Sequence, residues 1–269
     1  MEIRLDLLLV QKNIVTSREK AKEFIKAGKV LIDGKACFKP SQTFNEEADI
    51  KFIGETLKYV GRGGLKLEKA IETFGISINE KICADIGAST GGFTDCMLQN
   101  GAKIVYAVDV GHDQLVEKLK NDERVINLEG INARYITKDE IPQKLDFISV
   151  DVSFISLRLV LPQLKEFLNE NGEIIALIKP QFEAGKTEVG KNGVVKSEKS
   201  HIVVINNLIE FFEINNLQIH GITFSPIQGP EGNIEYLVYL KNNVENQISF
   251  LSDFDTKKFV IETFNALKK

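Results

Sequence analysis

The sequence of 269 residues contains no tryptophan, and it has only three cysteines and three histidines. The cysteines are odd in number and include no CxxC pair, which argues against a structural zinc site and indicates a reducing cytosol. The histidines are far apart in the sequence and match no metal-ligand spacing. We therefore expect a protein without a metal centre.

Long apolar runs are also absent. No stretch approaches the roughly 18–20 apolar residues that a membrane-spanning helix requires. The first residues, MEIRLDLLLVQK, have a short apolar core and an early acidic residue, unlike a secretory signal. With 43% hydrophobic and 27% charged residues, the composition is that of an ordinary globular protein. We expect a cytoplasmic protein without a membrane partner, and the sequence does not support a pore-forming function.

The net charge of −4 is unevenly distributed along the chain. Residues 1–70 contain 14 Lys and Arg against 10 Asp and Glu, whereas the remaining residues contain 20 against 28. A basic N-terminal region followed by an acidic body is consistent with binding to a polyanion. A small domain can also differ in charge by this amount without such a partner.

The first 55 residues predict a small α+β domain. Residues 3–12 have a helix-like pattern, and a capping box formed by Thr16 and Glu19 begins a second, basic helix that stops at Gly28. The Asp33-Gly34 pair within KVLIDGKACF predicts a β-hairpin. A third short strand is expected around Ile50–Ile53.

This region resembles the S4 RNA-binding domain. The matching stretch is RLDLLLVQKNIVTSREKAKEFIKAGKVLIDGKACFKPS, with its RLD, SR-x-x-A and GKV-x-(I/V)-(D/N)-G features. The resemblance implies an RNA partner, and the alternative is a basic accessory domain with another partner. The side chains that we expect to contact RNA are Arg4, Arg18, Lys20, Lys22 and Arg62.

The stretch ICADIGASTGGFTD, from Ile82 to Asp95, predicts a buried strand, a glycine-rich turn and a helix N-terminus. Its Gly-x-x-x-Gly-Gly spacing differs from the Gly-x-Gly-x-x-Gly of dinucleotide binders. S-adenosylmethionine (SAM) carries no pyrophosphate, and its site needs a close backbone approach and nearby acids. The predicted cofactor-binding residues are Asp85, Gly87, Ala88, Ser89, Gly91, Gly92, Asp109, Asn132 and Asp151.

Alternating strand and helix patterns after this stretch predict a mostly parallel sheet with helices on both faces. We expect helices over 112–120 and 157–168, a turn at Asn171-Gly172, a mobile loop over 180–197 and a final antiparallel hairpin. The predicted fold is α/β, a Rossmann-like SAM-dependent methyltransferase sheet behind a small S4-like domain. The predicted boundaries are 1–55 for the S4-like domain, 56–64 for a linker and 65–269 for the methyltransferase domain.

Charged residues converge on one rim of this predicted sheet. Those that end predicted strands are Asp85, Asp109, Asp151 and Lys179. Glu235 begins its strand, and an antiparallel final hairpin would bring it to the same rim. Lys66 lies in the first turn of the helix before the first strand of the sheet, where a cation opposes the helix dipole. These residues predict a charged site at the carboxyl ends of the strands.

The motifs RGGLKLEKA, DIGASTGGFTD, DVSFIS, LIKPQFEAG and SPIQGPEGNIEY resemble the TlyA family of rRNA 2′-O-methyltransferases, often labelled hemolysin A. The resemblance extends over essentially the whole chain. It implies SAM as the methyl donor, and a cytidine ribose of 16S or 23S rRNA in ribosomal subunits as the substrate. It also implies a catalytic tetrad at Lys66, Asp151, Lys179 and Glu235.

The chemistry of these side chains suits that reaction. A ribose 2′-hydroxyl is a poor nucleophile and needs a positioned base. We assign Lys179 as the base, Lys66 as the group that orients the ribose, and the two carboxylates as the groups that hold the lysines. Two alternatives stay open, a non-catalytic ribosome-assembly factor and a SAM methyltransferase of another substrate. The sequence leaves the oligomeric state open, with a monomer as the expectation.

Overall fold

The computed structural model describes residues 2–12, 14–15, 17–53, 58–242 and 250–267. The chain divides into two compact units, Met1–Lys58 and Tyr59–Lys269. Tyr59, which falls inside the predicted linker, is buried and packs in a core cluster of the second unit. Each unit therefore builds its own hydrophobic core.

In the described part of the first unit there are two helices and five short strands. In chain order they are β1 (Glu2–Arg4), α1 (Leu5–Gln11), α2 (Arg18–Lys26), β2 (Val30–Ile32), β3 (Lys35–Ala36), β4 (Thr43–Asn45) and β5 (Ile50–Phe52). Strand β1 pairs with β4, and β2 lies between β3 and β5. Leu5 and Leu9 of α1 and Ala21 and Ile25 of α2 are fully buried in the core between these elements.

The structure refines the prediction for this unit. The predicted helix over 3–12 begins only at Leu5, because Ile3 pairs with Phe44 in an antiparallel ladder. The Asp33-Gly34 hairpin is confirmed, with both residues at positive φ as that turn requires. Thr16 lies outside the described residues, and the N-cap of α2 is Ser17, whose hydroxyl accepts from the Lys20 N–H at 3.3 Å.

The second unit alternates strands and helices. Its elements are α3 (Gly64–Phe74), β6 (Ile82–Ile86), α4 (Gly92–Gln99), β7 (Ile104–Asp109), α5 (Glu117–Lys120), β8 (Val125–Glu129), β9 (Leu145–Val150), α6 (Leu161–Lys165), β10 (Leu168–Ile178), α7 (Pro180–Glu183), α8 (Glu198–Ile214), β11 (Leu217–Phe224), β12 (Tyr236–Asn242) and α9 (Thr256–Leu267). Short 3-10 turns lie at Ala133–Tyr135, Leu157–Leu159, Lys186–Glu188, Pro230–Gly232 and Phe250–Ser252.

These strands form one sheet of seven strands in the order β11-β12-β10-β9-β6-β7-β8. Pairings among β6, β7, β8, β9 and β10 are parallel, whereas β12 runs antiparallel to both of its neighbours. The predicted mostly parallel sheet and its final antiparallel hairpin are confirmed. As a result, the carboxyl ends of β6, β7, β9 and β10 and the beginning of β12 lie along one edge.

Helices cover both faces of the sheet, which explains the continuous apolar runs of its central strands. On one face, Ile148 and Val150 of β9 pack in a cluster with residues of α6, α8 and α9. On the other face, Phe147 packs in a cluster with residues of α3 and α4. All three β9 side chains are fully buried, and each contributes about 1.5–3 kcal/mol of hydrophobic stabilisation.

The helix predicted over residues 112–120 is wrong in its first half, and the observed helix is α5. The Glu129 carboxylate accepts the backbone N–H groups of Asp113, Gln114 and Leu115 at 2.8, 2.9 and 3.0 Å. These hydrogen bonds lower the pKa of Glu129. Asp113 also has a positive φ of 53°, which a helix does not accommodate. A distant carboxylate therefore replaces the helical hydrogen bonds of this segment.

The predicted helix over 157–168 and the Asn171-Gly172 turn are also corrected. A 3-10 turn and the short α6 replace the helix, and β10 already begins at Leu168, which pairs with Leu145. The register of β10 shifts between Leu168 and Glu173, so the Asn171-Gly172 pair lies in a strand irregularity. The segment predicted as a loop over 180–197 contains α7, whose Glu183 accepts the Leu157 N–H at 2.7 Å.

Candidate active site

A cavity of about 550 Å³ opens at the carboxyl ends of β6, β7 and β9. This volume lies within the range of small-molecule binding sites. Its walls are mainly apolar, with a few convergent polar groups. It is lined by Ile86, Gly87, Ser89, Val108, Asp109, Val110, Gln114, Ile131, Asn132, Ala133, Asp151, Val152, Ser153, Phe154, Ile155 and Val160.

The predicted cofactor-binding residues divide into two groups. Those that line the cavity are Gly87, Ser89, Asp109, Asn132 and Asp151. The described lining does not include Asp85, Ala88, Gly91 or Gly92. The predicted glycine turn therefore borders the cavity, but sequence reasoning did not separate the residues that face the cavity from those behind it.

Asp109 anchors the rim of the cavity. One carboxylate oxygen accepts the Ser89 N–H at 2.7 Å, and the other accepts the Gly111 N–H at 2.7 Å. A carboxylate offers about four acceptor positions, so these two bonds leave capacity for a ligand hydroxyl. Asn132 lies nearby in the lining, and its Oδ1 accepts the Arg134 N–H at 3.0 Å.

Asp85 lies behind the cavity and is fully buried. Its Oδ2 accepts from the Thr94 N–H at 2.9 Å and the Thr94 hydroxyl at 2.7 Å, and its Oδ1 accepts from the Ser149 hydroxyl at 3.1 Å. Burial raises the pKa of Asp85 to about 7, against the opposing effect of these hydrogen bonds. In the structure, Asp85 fastens the start of α4 to β6 and β9. Sequence reasoning missed both hydroxyl partners, which no local pattern marked.

Two glycines of the turn have different roles. Gly87 has a φ of +87°, and a Cβ there would lie 2.5 Å from the carbonyl oxygen of Asp151. Gly87 therefore permits the close approach that places Asp151 at the cavity. Gly91 has a φ of +95°, and a Cβ there would meet the side chains of Leu115 and Leu119. Gly91 thus faces the packed core under α5.

Gly92 brings the starts of α3 and α4 together. A Cβ at Gly92 would lie 2.9 Å from the backbone nitrogen of Gly64 and 3.3 Å from the carbonyl oxygen of Gly61. The Val60 N–H also donates to Asp95 of α4 at 2.9 Å. This close packing places the first turn of α3 at the edge of the sheet that carries the cavity.

Four charged residues form a continuous chain beside the cavity. Lys66 Nζ lies 2.6 Å from Glu235 Oε2 and 3.5 Å from Asp151 Oδ2. Lys179 Nζ lies 2.6 Å from Asp151 Oδ1. Glu235 is 1% exposed and each lysine 8%. Two cations and two carboxylates alternate, so this nearly buried group carries no net charge.

This chain retains unused acceptor capacity. Asp151 Oδ1 and Glu235 Oε1 are buried and accept no hydrogen bond from the described residues, although Asp151 Oδ1 is in ion-pair contact with Lys179. The backbone of Gly229 approaches Glu235 Oε1 so closely that a Cβ would collide with it. These two carboxylate oxygens therefore retain acceptor positions that the described side chains do not fill.

Two residues of the DVSFIS motif join the site in ways that the sequence reasoning missed. Lys179 Nζ donates to the Ser153 hydroxyl at 3.1 Å. Phe154 has a φ of +64° and its side chain is almost fully exposed at the cavity. Its ring packs on that of Phe182 at 5.1 Å. Strained residues of this kind cluster at functional sites.

The residues predicted to bind RNA lie in both units. Arg4 and Arg18 belong to the first unit, with side chains 43% and 50% exposed. Lys20 and Lys22 lie on α2 of the same unit. Arg62 is exposed in the second unit, just before α3.

Within the ranges that the structure describes, no group of three or more His, Cys, Asp or Glu side chains could hold a metal ion. Among the helices of those same ranges, none combines the length and the apolar character needed to cross a membrane.

Comparisons with known proteins identify two families in this chain. Residues 59–242 match the FtsJ-like methyltransferase family, and residues 3–50 match the S4 domain. The chain is 44% identical to Hemolysin A of Brachyspira hyodysenteriae, over 88% of this chain and 99% of the relative. It is 38% identical to the 16S/23S rRNA (cytidine-2′-O)-methyltransferase TlyA of Mycobacterium tuberculosis, over 91% of this chain and 92% of the relative.

A solved structure extends the similarity to the whole chain. The structure named "Putative hemolysin from Streptococcus thermophilus" has a TM-score of 0.77 and 43% sequence identity, and covers 99% of this chain and 97% of its own. The match in sequence and fold therefore includes the S4 domain as well as the unit that carries the seven-stranded sheet. The chain belongs to the FtsJ-like methyltransferase family, in the TlyA group that carries an N-terminal S4 domain.

Proposed function

We propose that the chain transfers a methyl group from SAM to the ribose 2′-hydroxyl of a cytidine in rRNA, within ribosomal subunits of the cytoplasm. The observation that carries this proposal is the ion-paired chain from Glu235 through Lys66 and Asp151 to Lys179. Asp151 belongs both to this chain and to the cavity lining. A methyl donor in the cavity would therefore lie beside the two lysines.

The cavity residues fit a nucleoside cofactor. Asp109 has acceptor capacity for ribose hydroxyls, and the apolar side chains of Val110 and Ile131 would contact an adenine ring. Gly87 and Ser89 also line the cavity and would place main-chain atoms beside such a ligand. When bound, SAM would supply a methyl group on a positively charged sulfur.

The lysines would handle the proton of the ribose. In this mechanism Lys179 Nζ removes the proton of the 2′-hydroxyl, while Asp151 and Ser153 hold that amine in position. A cationic cofactor next to Asp151 would partly neutralise the charge of that carboxylate. With less negative charge beside it, Lys179 Nζ would more readily adopt the neutral form that a base requires. Lys66, anchored by Glu235, would orient the ribose oxygen for an in-line displacement, in which alignment supplies much of the rate.

Recognition of the RNA would depend on basic side chains of the S4 domain and on Arg62 of the second unit. We assign phosphate contacts to Arg4, Arg18, Lys20, Lys22 and Arg62, all of which lie outside the cavity lining. Binding of this kind depends mainly on backbone charge and RNA shape, so it should weaken steeply as the salt concentration rises.

The test combines two measurements on the full chain. Calorimetric titration with SAM measures whether the chain binds the cofactor. Single-turnover transfer of labelled methyl to purified 30S and 50S subunits identifies the methylated product. We expect label in 2′-O-methylcytidine after nuclease digestion. SAM binding without transfer to either subunit would indicate another substrate. Absence of SAM binding would instead favour a non-catalytic assembly factor.

A further inference from the structure

Asp6 is an acidic residue of a basic domain, and its side chain is fully buried. It lies in the first turn of α1, and its backbone N–H donates to the Pro40 carbonyl at 3.1 Å. A buried carboxylate is strongly unfavourable unless cations and hydrogen bonds compensate it. Its partners therefore determine what this residue does.

Those partners are two of the arginines assigned to RNA. Arg4 binds Asp6 in a bidentate pair, with Nε and Nη2 each 3.0 Å from a carboxylate oxygen. Arg18, which begins α2, donates from Nη2 to Oδ2 at 3.1 Å. These contacts hold the pKa of Asp6 at about 2, so the carboxylate is charged at neutral pH. One buried charge thus gathers guanidinium groups from two separate elements.

Among the described residues, Asp6 occupies only part of each guanidinium group. A guanidinium has five N–H donors, of which Arg4 uses two on Asp6 and Arg18 uses one. Both arginine side chains remain about half exposed. With one carboxylate between two cations, the cluster keeps a net charge of +1. A pair of planar cations held in fixed geometry is suited to an RNA phosphate, because little entropy is lost on binding.

We propose that Asp6 is a positioning residue that holds Arg4 and Arg18 as one preorganised phosphate-binding pair for the RNA backbone. The proposal rests on the proposed function only in its choice of RNA as the ligand. The competing explanation is that Asp6 merely ties α1 to α2, while RNA responds to the total positive charge of the domain.

The two explanations predict opposite signs for Asp6→Asn. If charge alone matters, removal of a negative charge should tighten RNA binding. If Asp6 positions the arginines, the substitution should weaken binding by roughly tenfold, the loss expected for one charge-assisted contact. The matched control is Glu23→Gln, which removes an exposed acid on α2 and changes the net charge equally. The control should bind as well as the wild type or slightly better.

The probe is a labelled RNA hairpin titrated with the full chain at several KCl concentrations, with a melting curve for each variant. Neutralising both arginines (Arg4→Gln with Arg18→Gln) should reduce the slope of log affinity against log salt by roughly 0.7–0.9 per lost phosphate contact. In that background Asp6→Asn should add less than about a twofold change, because coupled residues are non-additive. SAM affinity, measured in parallel, should stay unchanged in all variants.

A second pair of substitutions covers the case in which Asp6→Asn does not fold. Arg4→Lys with Arg18→Lys keeps both charges but loses the bidentate geometry, and it should also weaken binding by roughly tenfold. Folded variants that bind the hairpin as tightly as the wild type would overturn the proposal. A chain that binds no SAM would refute the proposed function but leave this result standing.

Discussion

Lys66 Nζ lies 2.6 Å from Glu235 Oε2, although 169 positions separate the two residues in the chain. Lys66 comes from the first turn of α3, before the sheet begins, and Glu235 directly precedes β12. The two residues therefore meet only when the second unit is folded. The same ion pair should contribute both to the stability of the fold and to the proposed chemistry.

Removal of one partner of this pair should destabilise the protein more than replacement of both partners. Lys66→Met leaves a buried, uncompensated carboxylate, and we expect a loss of roughly 3–5 kcal/mol in the free energy of unfolding. The double variant Lys66→Met with Glu235→Gln should recover most of that loss, while methyl transfer stays abolished in both. Urea unfolding and single-turnover assays measure the two effects.

The control for this cycle is the pair of Lys120 and Asp113, which lie 3.4 Å apart and in which the Asp113 side chain is almost fully exposed. Asp113→Asn should cost no more than about 1 kcal/mol, as surface ion pairs contribute little. Strictly additive effects of the two substitutions at Lys66 and Glu235 would contradict the buried ion pair.

Lys179→Ala should reduce single-turnover methyl transfer by roughly 10²–10⁴-fold, the range typical of a lost general base. SAM affinity should change little, because Lys179 is not part of the described cavity lining. The matched control is Lys103→Ala, an exposed lysine before β7 at the opposite end of the strands. A Lys179→Ala protein that melts normally and transfers within about threefold of the wild type would refute the assigned role.

Gly91→Ala should destabilise the fold rather than fill the cofactor site. Its Cβ would collide with Leu115 and Leu119, and alanine is strained at this positive φ. Gly193→Ala isolates the strain alone, because Gly193 has a φ of +72° and no atom lies near its added Cβ. We expect a clearly larger drop in melting temperature at Gly91 than at Gly193. Equal drops in melting temperature would show that the contact of the added Cβ with Leu115 and Leu119 does not contribute to the destabilisation.

Asp85 predicts a specific pH dependence of stability. Its pKa is raised from 3.8 to about 7 in the folded state, so the folded chain binds a proton more tightly than the unfolded chain. The stabilisation from Asp85 is complete at pH values below 3.8, the pKa in the unfolded chain, and it declines as the pH rises towards 7. Between these two pH values, the free energy of unfolding of the wild type should fall by a few kcal/mol relative to that of Asp85→Asn.

Urea unfolding of both proteins at several pH values between 4 and 8 measures this difference, with Asp33→Asn as a control at an exposed acid. A constant difference across the window would show that Asp85 is ionised throughout the range. The Asp33 variant should follow the wild type at every pH.

Local patterns in the sequence determined most of the elements. The Asp33-Gly34 hairpin, the alternation of strands and helices, and the glycine turn after β6 all follow from signals a few residues long. Because parallel strands end at one edge, the same patterns also predicted that Asp151 and Lys179 would meet. The structure brings their charged groups to 2.6 Å.

Tertiary contacts decided the rest. Glu129 accepts hydrogen bonds from the backbone of residues 113–115, which shortens the predicted helix. The hydroxyls of Thr94 and Ser149 donate to Asp85, which lies behind the cavity. Asp6 similarly recruits Arg18 from the next helix. The physical reason is common to these cases: a carboxylate binds whichever donors the folded chain brings within about 3 Å, and short-range periodicity carries no information about those donors.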